Sequence, residues 1–306
     1  MKGPSRTLDR PRPSLAVPAR FADVLGHRTR YLALGEGSPV LLLHGLSRSL
    51  EDWSATLAPL GAHHRVYALD LAQFNAASRD AYAALGDFAH FAKAFLDAVG
   101  EHRPLAVIGN SLGGAVALRF AADYPERVAK LVLAGSAGFG RGLLWLLRLL
   151  ALPGVGELCL ALDRLAAEIA LRCIFYDPRF ATRARVRETL ELVRRPGAKR
   201  ALLRALRAFG SPLGVRAAWR RELAQRLAAH PVPMLVVWGE RDRILPVRHL
   251  QRVRRLYPHA RTHLFRNTGH APQLERAAAF NRLVLEFLAE AALPDAPKAR
   301  GRAAGV

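Results

Sequence analysis

One stretch near the middle of the chain constrains its fold more than any other. The apolar run Leu105–Ile108 is typical of a short buried strand, and residues 115–122 are typical of a helix. Between them lies Gly109-Asn110-Ser111-Leu112-Gly113, in which a glycine stands two residues away on each side of the serine. This context predicts a strained elbow that exposes the hydroxyl of Ser111, because only glycine lets a strand and a helix approach so closely.

Two later polar residues complete a candidate reactive group. A serine hydroxyl is a good nucleophile only when a base removes its proton and a third group orients that base. Asp242 follows an apolar strand that ends at Trp238, and His270 lies between the last predicted strand and the last helix. We therefore predict a catalytic triad of Ser111, Asp242 and His270 in the chain order Ser, Asp, His.

Alternatives to this triad remain open in the sequence. Asp242 could be a solvated loop carboxylate paired with a neighbouring arginine, and Glu240 is a rival acid two residues earlier. His270 could simply precede a helix without any catalytic duty. The alternatives make different predictions for burial and for hydrogen bonding of these side chains.

Acyl chemistry on Ser111 also needs N–H groups directed at the oxygen that becomes negatively charged. Leu112, the residue after the serine, supplies one N–H group. Leu46 is the best candidate for the second, because His44-Gly45-Leu46-Ser47 follows the apolar strand Val40–Leu43. We interpret His44 as a hydrogen-bonding residue beneath this loop and not as a base.

The other predicted strands indicate the fold class and its division. Most are apolar throughout, which is typical of a parallel sheet covered by helices on both faces. We predict an α/β fold, a mostly parallel doubly wound sheet, with its core in residues 21–137 and 230–291. Residues 138–229 lack strands and are rich in Leu, Ala and Arg, which predicts an inserted helical cap. Residues 1–20 are interpreted as a disordered lead-in and residues 292–306 as a flexible tail.

Charge and cysteine content limit the partners and the compartment. The formal net charge is +21, but only 5 of the 46 basic residues are lysine and the arginines are dispersed. No nucleic-acid motif accompanies them, so we expect no nucleic-acid partner. Peripheral contact with anionic lipid or with an acidic acyl carrier remains open. The lead-in has no apolar signal region, and the two cysteines form no disulfide framework, so a cytoplasmic location is expected.

Four segments together resemble the α/β-hydrolase fold superfamily. They are Leu42-Leu43-His44-Gly45, the elbow around Ser111, Trp238 to Pro246, and Gly269-His270 with Leu274-Glu275-Arg276. Within it the chain is most similar to capped serine esterases and to meta-cleavage-product C–C hydrolases, whose cap resembles Phe175-Tyr176-Asp177-Pro178. The resemblance implies the same triad, the same oxyanion N–H groups, and no metal or organic cofactor.

Departures from the C–C hydrolases favour another substrate. Those enzymes hold a substrate carboxylate with a cap arginine, whereas this chain has Thr189 near that position, with Arg185 and Arg187 close by. We predict a serine hydrolase that cleaves a carboxylic ester or thioester with a hydrophobic acyl group. A C–C hydrolase, a triad-bearing acyltransferase or haloperoxidase, and a non-catalytic ligand-binding protein are the alternatives. The candidate substrate-binding side chains are Trp145, Phe175, Trp219 and Trp238.

Overall fold

The computed structural model describes residues 17–71 and 84–290. The predictions for the lead-in before residue 17 and for the tail after residue 290 lie outside these residues. The segment 72–83, which follows Asp70 and where the sequence lacks the glycine-rich turn common in the resembled family, also lies outside them.

A single large sheet organises the core. The strands of the protein are β1 Arg20–Val24, β2 His27–Leu34, β3 Pro39–Leu43, β4 Arg65–Leu69, β5 Leu105–Asn110, β6 Val128–Ala134, β7 Gly210–Ser211, β8 Gly214–Val215, β9 Met234–Gly239 and β10 Arg261–Phe265. The eight strands of the large sheet run in the order β1-β2-β4-β3-β5-β6-β9-β10; β1, β2 and β4 are joined by antiparallel pairing and the other neighbours are parallel. The α/β fold with a mostly parallel sheet is thus confirmed.

The uniformly apolar strands are explained by two separate cores, one on each face of the sheet. Successive side chains of a strand point to opposite faces. In β3, Leu41 and Leu43 enter one core while Val40 and Leu42 enter the other. Because both faces are covered by helices, a strand at the centre of this sheet has no solvent-facing side chain.

Helices cover both faces and form the inserted segment. The last helix predicted from the sequence, which follows His270, is two helices, because the backbone leaves the helical conformation at Arg276 (φ −131°). The helices are α1 Ser54–Gly61, α2 Leu85–Ala98, α3 Leu112–Asp123, α4 Trp145–Leu150, α5 Val155–Ala161, α6 Asp163–Ile174, α7 Arg183–Val193, α8 Ala198–Phe209, α9 Ala217–Ala229, α10 Arg248–Leu256, α11 Pro272–Glu275 and α12 Ala277–Ala289.

The segment between β6 and β9 is not uniformly helical. The short antiparallel pair β7–β8 lies between α8 and α9. Helix α9 packs against α3 of the core and is joined to it by ion pairs, including Arg226 with Asp123 at 2.6 Å. Helices α4–α8 therefore make up the cap, and we use that name for them. Within the described residues, none of the helices combines the length and apolar character needed to cross a bilayer.

Candidate active site

Ser111 occupies a strained turn between β5 and α3. Its backbone has φ 57° and ψ −116°, a conformation that side-chain-bearing residues rarely adopt. A Cβ at Gly109 would collide with the carbonyl of Gly113, and one at Gly113 would collide with the carbonyl of Leu43. The two glycines thus allow α3 to begin directly against the sheet, with Ser111 at its N-terminus.

Asp242 and His270 form a buried pair at the carboxyl ends of β9 and β10. The Nδ1 of His270 lies 2.7 Å from Oδ2 of Asp242. The other carboxylate oxygen, Oδ1, accepts the backbone N–H groups of Ile244 and Leu245 at 2.8 and 2.9 Å. Since every contact to this carboxylate is a donor, Asp242 orients the imidazole so that Nδ1 carries the proton. Nε2 of His270 is buried and has no hydrogen-bond partner among the described residues.

Asn110 ties the elbow to the loop that carries His270. Its Nδ2 donates to the carbonyl oxygens of Ala134 and His270, at 2.9 and 3.1 Å. The side chain therefore joins the carboxyl ends of β5 and β6 to the loop that follows β10. These hydrogen bonds hold the backbone of His270 at a fixed distance from the elbow that carries Ser111.

The predicted oxyanion loop lies directly against the serine. A Cβ built on Gly45 would stand 3.3 Å from Cβ of Ser111, so the backbone that leads to Leu46 passes close to it. Leu112 is the first residue of α3, where N–H groups have no partner within the helix. Both Leu46 and Leu112 line the cavity above Ser111. This placement suits the predicted pair of donors.

His44 supports this loop and does not reach the reactive serine as a base. Its Nε2 accepts the backbone N–H of Leu71 at 2.9 Å, and Nδ1 lies 2.9 Å from the carbonyl oxygen of Gly45. Burial lowers the pKa of the imidazole, so it stays neutral with the proton on Nδ1. The interpretation of His44 as a residue beneath the loop agrees with these contacts.

Glu275 joins the loop of His270 to the cap. Its carboxylate accepts the N–H of Gly269 at 2.7 Å and those of Tyr176 and Asp177 at 3.0 Å each. Burial raises the pKa of this carboxyl group, although the three N–H donors oppose the shift. The backbone N–H of His270 also donates to the carbonyl of Ile174 at 2.7 Å. The segment after α6 is therefore held against His270.

Ser111 and His270 open into a cavity of about 390 Å³ beneath the cap. Its lining is largely leucine. The lining also contains the side chains of Arg48, Asp52, Asp163 and Lys199. The aliphatic residues include Leu143, Leu144, Leu146, Leu147, Leu150, Leu160, Leu162, Leu165, Ile169, Leu171, Ile174, Leu202 and Leu206.

The four aromatic residues predicted to bind substrate lie outside this lining. Trp238 is fully buried in β9, where its Nε1 donates to the carbonyl of Leu245. Phe175 packs with α11, and Trp219 donates to the carbonyl of Phe209 from α9. Trp145 is 64% exposed. The prediction of these four residues as substrate-binding is therefore corrected: the cavity is lined mainly by aliphatic side chains. The size of an aromatic side chain does not show whether that side chain faces the cavity.

A buried ion pair closes one side of the cavity. Nε of Arg48 donates to Asp52 at 2.9 Å, and NH1 of Arg48 donates to the hydroxyl of Thr189 in the cap at 3.2 Å. Burial disfavours the guanidinium charge, but Asp52 more than offsets this and raises the pKa of Arg48. Arg185 approaches the same Asp52 carboxylate at 3.7 Å, whereas Arg187 is exposed. Asp52 thus lies close to the guanidinium groups of both Arg48 and Arg185.

Comparison with known proteins agrees with this geometry. A family model described as the alpha/beta hydrolase fold matches residues 38–277. This chain belongs to the α/β-hydrolase family. The resemblance read from its four segments is therefore confirmed at the family level.

Relatives of this hydrolase include enzymes of more than one kind. The dihydrolipoyllysine-residue acetyltransferase component of the acetoin cleaving system of Cupriavidus necator is 33% identical, over 89% of this chain and 70% of its own length. The 2-hydroxy-6-oxo-6-phenylhexa-2,4-dienoate hydrolase of Comamonas testosteroni is 32% identical, over 88% and 92%. The solved meta-cleavage product hydrolase of Pseudomonas fluorescens IP01 superposes with a TM-score of 0.74 at 25% identity, covering 90% of this chain and 98% of its own.

Several residues of this site were not singled out by sequence reasoning. Asn110 stands inside the elbow pattern, and Glu275 lies in the Leu-Glu-Arg segment after His270, so each had a motif that pointed to it. Gly135, a glycine directly after the last residue of β6, also had a local signal. The pairing of Arg48 with Asp52 and Thr189 had no comparable indication, because Thr189 is 141 residues away in the chain.

Proposed function

We propose that this hydrolase cleaves a carboxylic ester or thioester with a hydrophobic acyl group through an acyl-enzyme. The observation that carries the proposal is the placement of Ser111 and the Asp242–His270 pair at a leucine-lined cavity in which each cation has a carboxylate partner. A cavity of about 390 Å³ with such a lining favours an uncharged aliphatic or aromatic group.

The chemistry follows from the hydrogen bonds of the site. Oγ of Ser111 attacks the carbonyl carbon while Nε2 of His270 takes the hydroxyl proton. Asp242 stabilises the imidazolium that forms. The N–H groups of Leu46 and Leu112 donate to the oxyanion. His270 then protonates the departing alcohol or thiol, and it activates a water molecule that releases the acid from Ser111.

Charge pairing in the cavity supports a neutral acyl group. Arg48 is matched by Asp52, and Lys199 is in salt-bridge contact with Asp163. A substrate carboxylate would have to displace one of these partners before it could bind a cation. The Arg48–Asp52 pair is buried, and separating a buried carboxylate from its cation is costly, so an acidic substrate is disfavoured at Arg48.

C–C bond hydrolysis is the second candidate, since the Comamonas testosteroni relative is named for a dienoate substrate. Such a substrate carries a carboxylate. Turnover of a dienoate at a rate comparable with that of esters would favour this candidate and contradict the charge argument. The name of the Cupriavidus necator relative similarly suggests acyl transfer, in which an alcohol or thiol acceptor would outcompete water for the acyl-enzyme.

A series of p-nitrophenyl esters of increasing acyl length tests the proposal. We expect kcat/KM to rise from acetate to medium-length chains as the leucine-lined cavity is filled. Ser111→Ala should lower kcat by several orders of magnitude, on the order of 10⁶-fold for a triad nucleophile. Ser54→Ala, at an exposed serine of α1, is the matched control. A Ser111→Ala variant that keeps its activity, or wild-type protein that a fluorophosphonate probe fails to label, would contradict the proposal.

A further inference from the structure

Large apolar side chains are exposed on three consecutive helices of the cap. Helices α4, α5 and α6 pack against one another in sequence order. Their exposed side chains recur three or four residues apart, so that each helix presents them on one side. We call this set the cap face; its members are Trp145, Leu149, Leu158, Leu162, Leu165 and Ile169.

The cap face is continuous with the substrate cavity. Leu162, Leu165 and Ile169 are exposed to solvent and also line the cavity that contains Ser111. Helix α6 therefore forms the boundary between the cavity and the outside. An apolar molecule that starts at the cap face can therefore pass along these apolar side chains into the cavity.

The segment that contains the cap carries an excess of positive charge. Residues 138–229 contain 18 Lys or Arg and 7 Asp or Glu. The three carboxylates of α4–α6 are each held by a cation: Glu157 by Arg207, Asp163 by Arg194 and Glu168 by Arg164. The acidic side chains of α4–α6 are thus neutralised locally, and the excess of cations lies in the rest of the segment. An apolar surface on a positively charged segment suits the interface of an anionic bilayer.

We propose that the cap face docks this hydrolase onto anionic lipid membranes, with α6 at the membrane surface, so that lipophilic substrate passes from the bilayer into the cavity. A second copy of the chain is a poorer occupant, because two positively charged caps would be brought together. The route of the substrate rests on the proposed function, whereas the docking does not depend on catalysis.

The docking is tested with the full-length Ser111→Ala protein, so that turnover plays no part. We expect cosedimentation with vesicles of phosphatidylcholine and phosphatidylglycerol, much weaker cosedimentation with phosphatidylcholine alone, and a loss of binding as salt is added. Trp53 and Trp238 are buried and Trp219 is half-buried, so a blue shift of tryptophan emission on binding should come from Trp145. Trp145→Phe should remove the shift.

Leu158→Asp is the decisive variant, because Leu158 is 73% exposed and does not line the cavity. It should lower the partition coefficient about tenfold or more, since burial of a leucine side chain contributes on that order. Leu256→Asp, at an exposed leucine of α10 outside the cap, is the matched control and should bind as before.

Three results would overturn the docking: equal affinity for both kinds of vesicle, no effect of Leu158→Asp, or a lipid-free dimer that Leu158→Asp dissociates. Binding to an acidic acyl carrier protein without binding to vesicles would also overturn it. Hydrolysis of a soluble short ester, measured separately on proteins with Ser111 intact, reports on the proposed function. We expect Leu158→Asp to leave that rate unchanged, so the two hypotheses fail independently.

Discussion

Gly135 is in direct contact with His270. A Cβ at Gly135 would stand 3.2 Å from Nδ1 of His270 and 3.3 Å from Oδ2 of Asp242. The glycine also has φ +50°, a conformation that disfavours other residues. The chain therefore bends sharply at Gly135, directly after β6, and leaves space for the hydrogen bond between His270 and Asp242.

Gly135→Ala is expected to lower kcat by displacing the imidazole, even if the fold persists. The new methyl group presses on Nδ1 of His270 and on its carbonyl oxygen, so Nε2 moves away from its working position. Gly26→Ala is the control, because Gly26 has φ +77° and nothing within 4 Å of a built Cβ. Both variants should lose about 1–2 kcal/mol of stability from the backbone conformation, but only Gly135→Ala should lose activity. Equal kcat values in the two would refute the steric role.

Asp242→Asn should lower kcat by roughly 10³–10⁴-fold with little change in KM. The NH₂ group of the asparagine must face one of two places. If it faces Nδ1 of His270, the proton of the imidazole moves to Nε2; if it faces the N–H groups of Ile244 and Leu245, donors oppose donors. Steady-state kinetics on a soluble ester measure the effect. Glu240→Gln is the control, since Glu240 was the rival acid; it accepts the exposed loop N–H of Asn267 at 3.2 Å and lies 3.4 Å from Arg241. A comparable loss in Glu240→Gln would contradict the assignment of the acid.

Asp52→Asn should destabilise the protein by about 3–5 kcal/mol, because it leaves the buried Arg48 without its carboxylate. Arg48→Met combined with Asp52→Asn should recover part of this loss. Urea unfolding curves of the single and double variants measure it. Asp97→Asn, which weakens the more exposed Lys93–Asp97 pair, should cost about 1 kcal/mol or less. Equal costs for the two single carboxylate variants would show that burial does not matter here.

The unfolding free energy should fall as pH falls from 6.5 to 4, in part through His249. Burial lowers the pKa of His249 to about 4, with nearby arginines adding to the shift. Between these pH values the unfolded chain binds the proton and the folded chain does not, so acid favours unfolding by up to about 3 kcal/mol. His249→Gln should flatten the pH dependence, whereas His230→Gln, at an exposed position, should leave it unchanged. Identical slopes in all three proteins would exclude this contribution.

The elbow, the strands and the order of the polar residues could be predicted because they depend on local patterns. Each of these features is recognisable from a few consecutive residues. They are the apolar strands, the glycines two residues on either side of Ser111, and the polar residues that follow β9 and β10. The break at Arg276 was not predicted, since the hydrophobic periodicity of the last segment continues through it.

The orientation of the cap helices could not be predicted from the sequence pattern. Its helices were expected, but which side of each helix faces the cavity depends on how α4–α8 pack together and onto the core. Trp145 and Leu146 are neighbours in the chain, yet the first faces solvent and the second lines the cavity.

The sequence alone thus determined the class of fold and the three residues predicted to react, because parallel strands bring their carboxyl ends to one edge. Only the tertiary structure decided the surroundings of those residues: Asn110 beneath His270, Gly135 beside it, and Asp52 pairing with Arg48 while Thr189 binds Arg48 from the cap. These contacts join residues far apart in the chain, and their geometry follows from the packing of the whole molecule. The lining of the cavity, on which the proposed substrate depends, has the same origin.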